Sequence, residues 1–215
     1  MKIIQIVKKN LRNVTVHFDN GKNLFINYEL LVKNGLRKND EISENHLDYL
    51  IKENQKFAVK QKAFRYLARR LHSENELRMK LRQKKYNRDI IEEIINELKE
   101  SNYLNDLEFA NIFSDENIKN KFWGMNKVKA GLMEKGIKSE IILQVLSEKF
   151  SKGNDLQNAI GLAEKKYQSL ISRNVERKKL KEKLFAFLFS KGYDYEVSKE
   201  AVEKLITGDG DDYQL

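Results

Sequence analysis

Between about residues 43 and 206, apolar residues recur at steps of three and four, the spacing that predicts amphipathic α-helices. The arrangement occurs three times, because apolar residues stand at the same distances from Leu81, Leu132 and Leu188. The matching positions lie four residues before each leucine and five, nine, thirteen and fourteen residues after it. The leucines are 51 and 56 residues apart, which leaves room for about three short helices per copy. The pattern predicts three tandem helical repeats.

The first forty residues follow the two-residue period of β-strands instead. Apolar and polar residues alternate over residues 14–18 and again over residues 24–28, with Asp19-Asn20-Gly21-Lys22 between the two runs. Asn-Gly is typical of a type I′ turn, so we predict a β-hairpin. Because an isolated hairpin is marginal in water, Ile4 and Ile6 are the candidates for a third strand.

Changes of period and clusters of turn residues divide the chain into segments. We predict a mostly α fold. It consists of an elongated array of three tandem three-helix repeats preceded by a small β-hairpin or three-stranded N-terminal region. The segment before the first repeat is compatible with one long helix or with two that break near Asn54. The predicted segments are a β-rich N-terminal extension (1–42), a linking helix with the first helix of repeat 1 (43–72), the rest of repeat 1 (73–104), repeat 2 (105–150), repeat 3 (151–206) and an acidic disordered tail (207–215).

Helix ends in the repeats carry their own signals. Ser73 and Glu76 form the S-x-x-E pattern of a capping box, so a helix begins there. Gly136 and Gly192 are predicted helix stops, whereas Lys85 holds the corresponding position in the first repeat, where the helix must stop without a glycine. Gly131 falls inside a predicted helix and should cost about 1 kcal/mol relative to alanine.

Composition indicates the cellular compartment in which the protein is expected. The chain has 215 residues, of which 40% are apolar, and no cysteine. The absence of cysteine rules out disulfides and thiolate metal sites and is typical of a reducing compartment. The apolar run at residues 3–7 is too short for a signal peptide, and no run approaches the roughly 20 residues of a membrane span. We expect a cytoplasmic protein that does not contact a membrane.

Positive charge is concentrated in two parts of the chain. The net charge is +9, and residues 60–88 contain eleven Lys or Arg residues against two acidic ones. Residues 164–183 contain eight basic and three acidic residues. This concentration indicates a polyanion or an acidic protein surface as the partner. The alternative is a set of solvated helix faces without a partner.

The candidate contact residues come from all three repeats. In the first, the pairs Arg65/Arg69 and Arg78/Arg82 are spaced by four residues, so each pair should present a double charge on one helix face. Trp123, in a Lys-rich segment, either stacks on a base or is buried at a helix junction. The predicted contact set is Arg65, Arg69, Arg70, Arg78, Arg82, Lys84, Lys85, Lys119, Lys121, Lys127, Lys129, Arg173, Arg177, Lys178, Lys179, Lys181 and Lys183.

Residue patterns for catalysis or metal binding are absent. His17, His46 and His72 lie in separate predicted elements and lack metal-ligand spacing. Neither a GxxxxGK[ST] nor a GxGxxG phosphate loop occurs. Glu97-Leu98-Lys99 imitates a nuclease E-x-K but lies at a predicted helix end without flanking strands. We expect a protein that is not an enzyme and that holds no cofactor and no metal.

Several spaced motifs resemble those of one protein family. Residues 63–77, AFRYLARRLHSENEL, and Tyr103-Leu104-Asn105-Asp106 resemble the first repeat of the RecX family, bacterial regulators of the RecA recombinase. Lys135-Gly136-Ile137 resembles the second repeat, and Lys191-Gly192-Tyr193 matches the third more loosely. The resemblance covers about residues 63–205. The hairpin region lies outside it and looks like the extension of longer family members.

The resemblance implies a binding protein that serves homologous recombination, DNA repair and the SOS response. Members of the family bind RecA, lie in the groove of its filament on DNA and reduce its ATP hydrolysis, strand exchange and coprotease activity. The expected partners are therefore the RecA filament and single-stranded DNA, bound without sequence preference by a monomer. Two alternatives stay open: a sequence-independent binder of single- or double-stranded DNA that acts without RecA, and a helical scaffold for an unrelated acidic protein.

Overall fold

In the computed structural model, the described residues are 1–150, 154–173 and 176–208, without the side chains of Asn154, Arg177, Lys178 and Thr207. The predicted tail (207–215) therefore lies outside the described residues from position 209 onward, and so do residues 151–153 and 174–175. The described residues form three strands and ten helices, which confirms the mostly α fold with a small N-terminal sheet. They divide into two compact units: residues 1–72 with 77–104 in unit 1, and residues 73–76 with 105 onward in unit 2.

Unit 1 begins with an antiparallel sheet in the order β1-β2-β3. The strands are β1 (Ile3–Lys8), β2 (Asn13–Phe18) and β3 (Asn23–Asn27). The alternating residues of β2 and β3 point into a core that also contains Leu47 and Leu50, as the two-residue period predicts. The third strand is present, and a register shift between Ile3 and Gln5 buries Ile3 while Ile4 stays exposed.

The hairpin between β2 and β3 is confirmed, but the predicted type I′ turn is wrong. Such a turn needs a positive φ at both central residues, whereas Gly21 has a φ of +80° and Asn20 does not reach that region. The Gly21 N–H donates to the Phe18 carbonyl (3.1 Å), and the Phe18 N–H donates to the Lys22 carbonyl (3.0 Å). The loop therefore contains one residue more than a two-residue turn, and glycine takes the left-handed position that closes it.

Four helices complete unit 1. They are α1 (Tyr28–Lys33), α2 (Glu44–Leu67), α3 (Glu74–Arg82), whose first turn is counted with unit 2, and α4 (Arg88–Glu100). Helix α2 is unbroken at Asn54, which decides between the two alternatives. A second core of unit 1 contains Ala63 from α2, Leu81 from α3 and Ile95 from α4, all fully buried. Leu81 thus has the core position that the repeat pattern predicts.

Unit 2 contains the helices of the second and third repeats. They are α5 (Asp106–Lys121), α6 (Met125–Glu134), α7 (Ser139–Lys149), α8 (Asn154–Ile171), α9 (Arg177–Ser190) and α10 (Tyr195–Gly208). Two separate cores hold them together, one around Leu132 and one around Leu188. Both leucines are fully buried, so all three aligned leucines of the sequence pattern have equivalent places.

Each repeat ends its second helix with a residue in the left-handed region. Lys85, Gly136 and Gly192 have φ values of +60°, +71° and +92°, so the helix of the first repeat does stop without a glycine. A Cβ on Gly136 would lie 2.5 Å from the Asn75 side chain, and one on Gly192 would lie 2.4 Å from Lys127. The Lys85 side chain is exposed instead. Glycine is thus required where residues of another helix pack directly against the turn.

The capping box at Ser73 is confirmed for the serine. Ser73 Oγ accepts a hydrogen bond from the Glu76 N–H (3.1 Å) and donates one to the Lys135 carbonyl (2.6 Å). The Glu76 carboxylate accepts a hydrogen bond from Lys135 Nζ at 2.6 Å. Ser73 therefore caps the helix start, and Ser73 and Glu76 together fasten it to Lys135 in the turn that ends α6.

Repeats 2 and 3 meet at an equivalent contact within unit 2. Gly124 N–H donates to the Lys191 carbonyl (2.8 Å), and Asn126 N–H donates to the Gly192 carbonyl (3.0 Å). A Cβ on Gly124 would lie 2.6 Å from the Tyr193 backbone nitrogen and 2.7 Å from the Gly192 carbonyl. The start of α6 and the turn after α9 can approach this closely only because Gly124 carries no side chain.

Gly131 has a packing role that the helix propensity scale does not reveal. A Cβ at this position would lie 2.9 Å from Phe113 Cζ and 3.1 Å from Trp123 Cζ3. The two aromatic rings therefore occupy the space of the missing side chain. The propensity cost expected from sequence is offset by this packing, so alanine is not the better residue here.

A buried polar group lies at the start of α8. Asp155 is in the first turn of the helix, and its Oδ1 has no hydrogen-bond partner among the described residues. Burial, with a smaller contribution from the nearby Asp194 carboxylate, raises the pKa of Asp155 to about 6. The same burial raises the pKa of Tyr193 above its usual range. The ionised Asp155 is consequently a destabilising charge in the third repeat.

The tight contact at Gly124 predicts opposite effects for two glycine-to-alanine changes. We expect Gly124→Ala to lower the free energy of unfolding by about 1–3 kcal/mol, because a methyl group would overlap backbone atoms. Gly161 lies inside α8 with no atom near its Cβ position, so Gly161→Ala should stabilise the protein by about 0.5–1 kcal/mol. Urea unfolding of both variants measures the difference. A stabilising Gly124→Ala would contradict the close approach.

The raised pKa of Asp155 predicts a pH dependence. An unfolded aspartate titrates near 3.9, so the native protein binds more protons between about pH 4 and pH 6, and its stability falls as pH rises through that interval. Asp155→Asn should stabilise the protein at about pH 8 by about 1 kcal/mol, after allowance for solvent at the half-buried carboxyl. At about pH 4 the change should have little effect. Urea unfolding at both pH values tests this, and an equal gain at both would disprove it.

Candidate interaction surfaces

Neither a metal centre nor a membrane segment is found in the part of the chain that the structure describes. Its His, Asp and Glu side chains do not gather in a group of three that could hold a metal ion. None of its helices is long and apolar enough to cross a bilayer.

In unit 1, Arg65 lies in the last turn of α2, whereas Arg69 lies in the turn that follows the helix, and both are exposed. Within the described residues, no carboxylate forms an ion pair with either guanidinium. The predicted shared helix face is wrong, because α2 ends at Leu67, before Arg69. Both guanidinium groups are nevertheless exposed cations near that helix end.

Two lysines outside the predicted contact set, one in α2 and one in α3, lie over the Tyr66 ring near the same end of α2. Lys62 Nζ lies 5.1 Å and Lys80 Nζ lies 5.3 Å from the centroid of the Tyr66 ring. Both distances are typical of a cation–π contact. The spacing of Lys62 and Tyr66, four residues apart on one helix, is the sequence signal that could have identified this contact. Lys80 joins through the packing of α3 against α2, which sequence does not show.

The second arginine pair of unit 1 does not present a double charge. Arg78 Nε contacts both carboxylate oxygens of Glu92, at 2.9 and 3.0 Å, and Arg82 contacts Glu92 Oε1 at 3.1 Å. The three side chains together carry a single positive charge. Arg78 is only 22% exposed in this arrangement. The prediction of two free charges at this site is thus wrong, because α4 brings a carboxylate to the same face.

The other predicted cations of unit 1 lie in turns. Arg70 donates a hydrogen bond from a guanidinium nitrogen to the Leu71 carbonyl at 2.7 Å. His72 is buried, and its Nδ1 lies 2.9 Å from the Arg70 carbonyl. Lys84 and Lys85 are exposed in the turn between α3 and α4, where no described carboxylate pairs with them. Arg70 is therefore fixed by local contacts, while Lys84 and Lys85 project into solvent.

The predicted cations of the second repeat gather partly around Trp123. Lys121 Nζ lies 4.9 Å and Lys127 Nζ lies 5.5 Å from the centroid of its ring. The indole itself is half-buried against Phe113, at a centroid distance of 6.1 Å. Lys119 and Lys129 are exposed near the end of α5 and on α6. The structure thus brings Lys121 and Lys127 together on one ring and places Trp123 at a helix junction.

The predicted cations of the third repeat are more scattered. Arg173, Lys181 and Lys183 are exposed, and Lys179 forms an ion pair with Glu176 at 3.3 Å. The side chains of Arg177 and Lys178 lie outside the described residues. Unlike Lys121 and Lys127, the described side chains among these cations do not lie over a shared aromatic ring.

Comparison with known proteins gives a consistent result. Residues 60–98 match the family model described as "RecX, first three-helix domain", and residues 154–202 match "RecX, third three-helix domain". A protein named "Regulatory protein RecX" from Clostridium perfringens (strain 13 / Type A) is 34% identical over 202 residues, which cover 94% of each chain. A protein of the same name from Clostridium beijerinckii is 32% identical over 213 residues, or 99% of each chain.

Solved structures show the same fold. The chain resembles a structure titled "Crystal structure of regulatory protein RecX" with a TM-score of 0.73 and 20% identity, over 94% of this chain and 98% of that one. A second, "Crystal structure of RecX from Lactobacillus salivarius", matches with a TM-score of 0.63 and 23% identity, over 71% of this chain and 97% of that one.

The shared carboxylate of Glu92 allows a test of the arginine face of unit 1. Glu92→Gln should release both Arg78 and Arg82, so the variant should elute from a heparin column at higher salt than the unsubstituted protein. The matched control is Glu93→Gln, which removes the same charge one residue away but releases no cation completely, because its partner Lys56 keeps an ion pair with Glu53 at 3.3 Å. Equal shifts for the two variants would show that the arginine face does not bind polyanions. Circular dichroism checks that both variants are folded.

Proposed function

The chain belongs to the RecX family, and we propose that it regulates a RecA recombinase by binding along the RecA filament on DNA. The observation that carries this proposal is the match over nearly the full length of both chains to proteins named "Regulatory protein RecX". We further propose that binding in the filament groove reduces the ATPase, strand-exchange and coprotease activities of RecA. The protein then acts by occupying a surface and performs no reaction of its own.

The distribution of charge supports a mechanism of many weak contacts. A single exposed ion pair contributes only about 0–1 kcal/mol, so no one arginine can hold the protein on a filament. Several contacts on one chain act together, because the first raises the effective concentration of the others. We propose that Arg65, Arg69, Lys84 and Lys85 of unit 1 are among these contacts, since they are exposed and pair with no described carboxylate.

A second candidate function is sequence-independent DNA binding without RecA. The placement of the Lys121 and Lys127 ammonium groups over Trp123 favours it, because basic groups interleaved with aromatic rings are common in proteins that bind single strands. The two functions differ in what they predict for other enzymes. A DNA binder of this kind should inhibit any enzyme that uses the same DNA, whereas a RecA regulator should act on RecA selectively.

The proposal is tested directly by measuring the hydrolysis of ATP by RecA in the presence of single-stranded DNA. We expect the protein to lower this rate at concentrations that leave an unrelated DNA-dependent ATPase unaffected. An unchanged RecA rate at stoichiometric excess would reject RecA regulation. Equal inhibition of both enzymes would favour the second candidate.

A charge reversal in unit 1 tests the proposed contacts. Arg65→Glu with Arg69→Glu should weaken inhibition of RecA at least tenfold, which corresponds to about 1.4 kcal/mol, because two attractive contacts become repulsive. The matched control is Lys8→Glu with Lys9→Glu, which makes the same change in net charge at exposed positions of β1 and its following loop. If both pairs weaken inhibition equally, only net charge matters and the proposed contacts are wrong. Helicity measured by circular dichroism should be the same in all three proteins.

A further inference from the structure

Five lysines converge on three aromatic rings in unit 2. Lys121 and Lys127 lie over Trp123, Lys165 lies over Phe122 at 5.0 Å, and both Lys166 and Lys191 lie over Phe187, at 5.4 and 5.7 Å. We call this group the lysine–aromatic cluster. Three of its members, Lys165, Lys166 and Lys191, are outside the contact set that the sequence predicts.

Hydrogen bonds to the backbone connect the members of the cluster. Lys191 Nζ donates to the Lys121 carbonyl at 3.1 Å, so the cation over Phe187 reaches the segment that carries Trp123. Lys127 Nζ donates to the Ser190 carbonyl at 2.8 Å, which ties α6 to the end of α9. These bonds link the segments that carry Lys121, Lys127 and Lys191. Lys165 and Lys166, which are consecutive in α8, join the cluster through the Phe122 and Phe187 rings.

No described carboxylate forms an ion pair with any of the five lysines. Elsewhere in the same unit, lysines close to the core do have acidic partners, as Lys135 has Glu76 and Lys149 has Asp115. Like charges placed around the same rings repel each other, and the aromatic rings offset only part of that repulsion. An anionic ligand that bridges several ammonium groups would remove it.

We propose that the lysine–aromatic cluster binds the phosphodiester backbone of a single nucleic-acid strand. This inference rests on the proposed function in one respect: the cluster is taken to be the surface that contacts the DNA of the RecA filament. Lysine is depleted at protein–protein interfaces, whose cores are apolar, but it is a common point-charge ligand for phosphate. The rings Phe122, Trp123 and Phe187 are half-buried beneath the ammonium groups, so they hold the cations in place and offer little apolar surface to a protein partner.

The test measures binding of a fluorescein-labelled oligothymidylate to the full chain by fluorescence anisotropy, without RecA, between about 50 and 200 mM salt. The cluster variant carries Lys121→Gln, Lys165→Gln and Lys166→Gln, three lysines whose described side-chain contacts are those with aromatic rings. We expect its affinity to fall at least tenfold at low salt. The slope of log affinity against log salt should decrease by about 2, because each phosphate contact on a single strand contributes about 0.7.

The matched control carries Lys38→Gln, Lys138→Gln and Lys199→Gln, three exposed lysines outside the cluster. It has the same net charge as the cluster variant and should lose no more than threefold in affinity. Equal losses in the two variants would overturn the proposal, and so would the absence of salt-dependent binding by the unsubstituted protein. Polyglutamate serves as a competitor: displacement of the oligonucleotide at equal charge concentration would also overturn it, in favour of an acidic polypeptide.

RecA inhibition separates this inference from the proposed function. If the cluster variant fails to bind the oligonucleotide and the unsubstituted protein still lowers the RecA ATPase, both proposals stand. If the unsubstituted protein binds through the cluster but leaves RecA unaffected, the cluster assignment holds and RecA regulation fails.

Discussion

The close approach of two backbone segments at Gly124 and Gly192 determines how the second and third repeats pack. Hydrogen bonds of 2.8 and 3.0 Å join these segments, and neither position has room for a Cβ. Hydrogen bonds of this kind are directional, so the contact fixes orientation as well as distance. The same turns carry Lys127 and Lys191, whose ammonium groups donate to carbonyls across the contact. The close approach of the backbone at Gly124 and Gly192 thus fixes the positions of two cations of the lysine–aromatic cluster.

The fold could be predicted from sequence wherever buried residues recur at the spacing of an α-helix or a β-strand. The three aligned leucines are buried, and α2 and the β-hairpin appear where their periods occur, because periodicity records which face meets the core. The errors arose where the neighbour of a residue was unknown. Asn20-Gly21 has the composition of a type I′ turn, but the register of β2 against β3 requires a longer loop. From sequence, Gly131 only lowers the helix propensity of α6. The structure shows that the Phe113 and Trp123 rings occupy the space where another residue would have its Cβ.

The candidate surfaces were predictable only as far as cations lie on the same helix. Lys62 and Tyr66 could be paired from their spacing alone, whereas the end of α2 at Leu67 separates Arg69 from the helix that carries Arg65. Glu92 is ten or more residues from Arg78 and Arg82, and only the packing of α4 against α3 shows that it neutralises part of their charge. Lys165 and Lys166 come from α8 and Lys191 from the end of α9. No local pattern connects them with Trp123, because tertiary packing brings them together.

The acidic residues of the chain explain which cations remain available. Glu76, Glu92, Glu97 and Asp115 each pair with a lysine or arginine that fastens one helix or turn to another. The net charge of +9 is therefore divided unevenly. The cations that fasten helices have acidic partners, whereas no described carboxylate pairs with Arg65, Arg69, Lys84, Lys85 or the lysines of the lysine–aromatic cluster. A polyanion that binds the unpartnered cations does not have to break an internal ion pair first. Its affinity then depends mainly on the release of counterions from the polyanion, which is why salt concentration should control binding more strongly than the sequence of the strand.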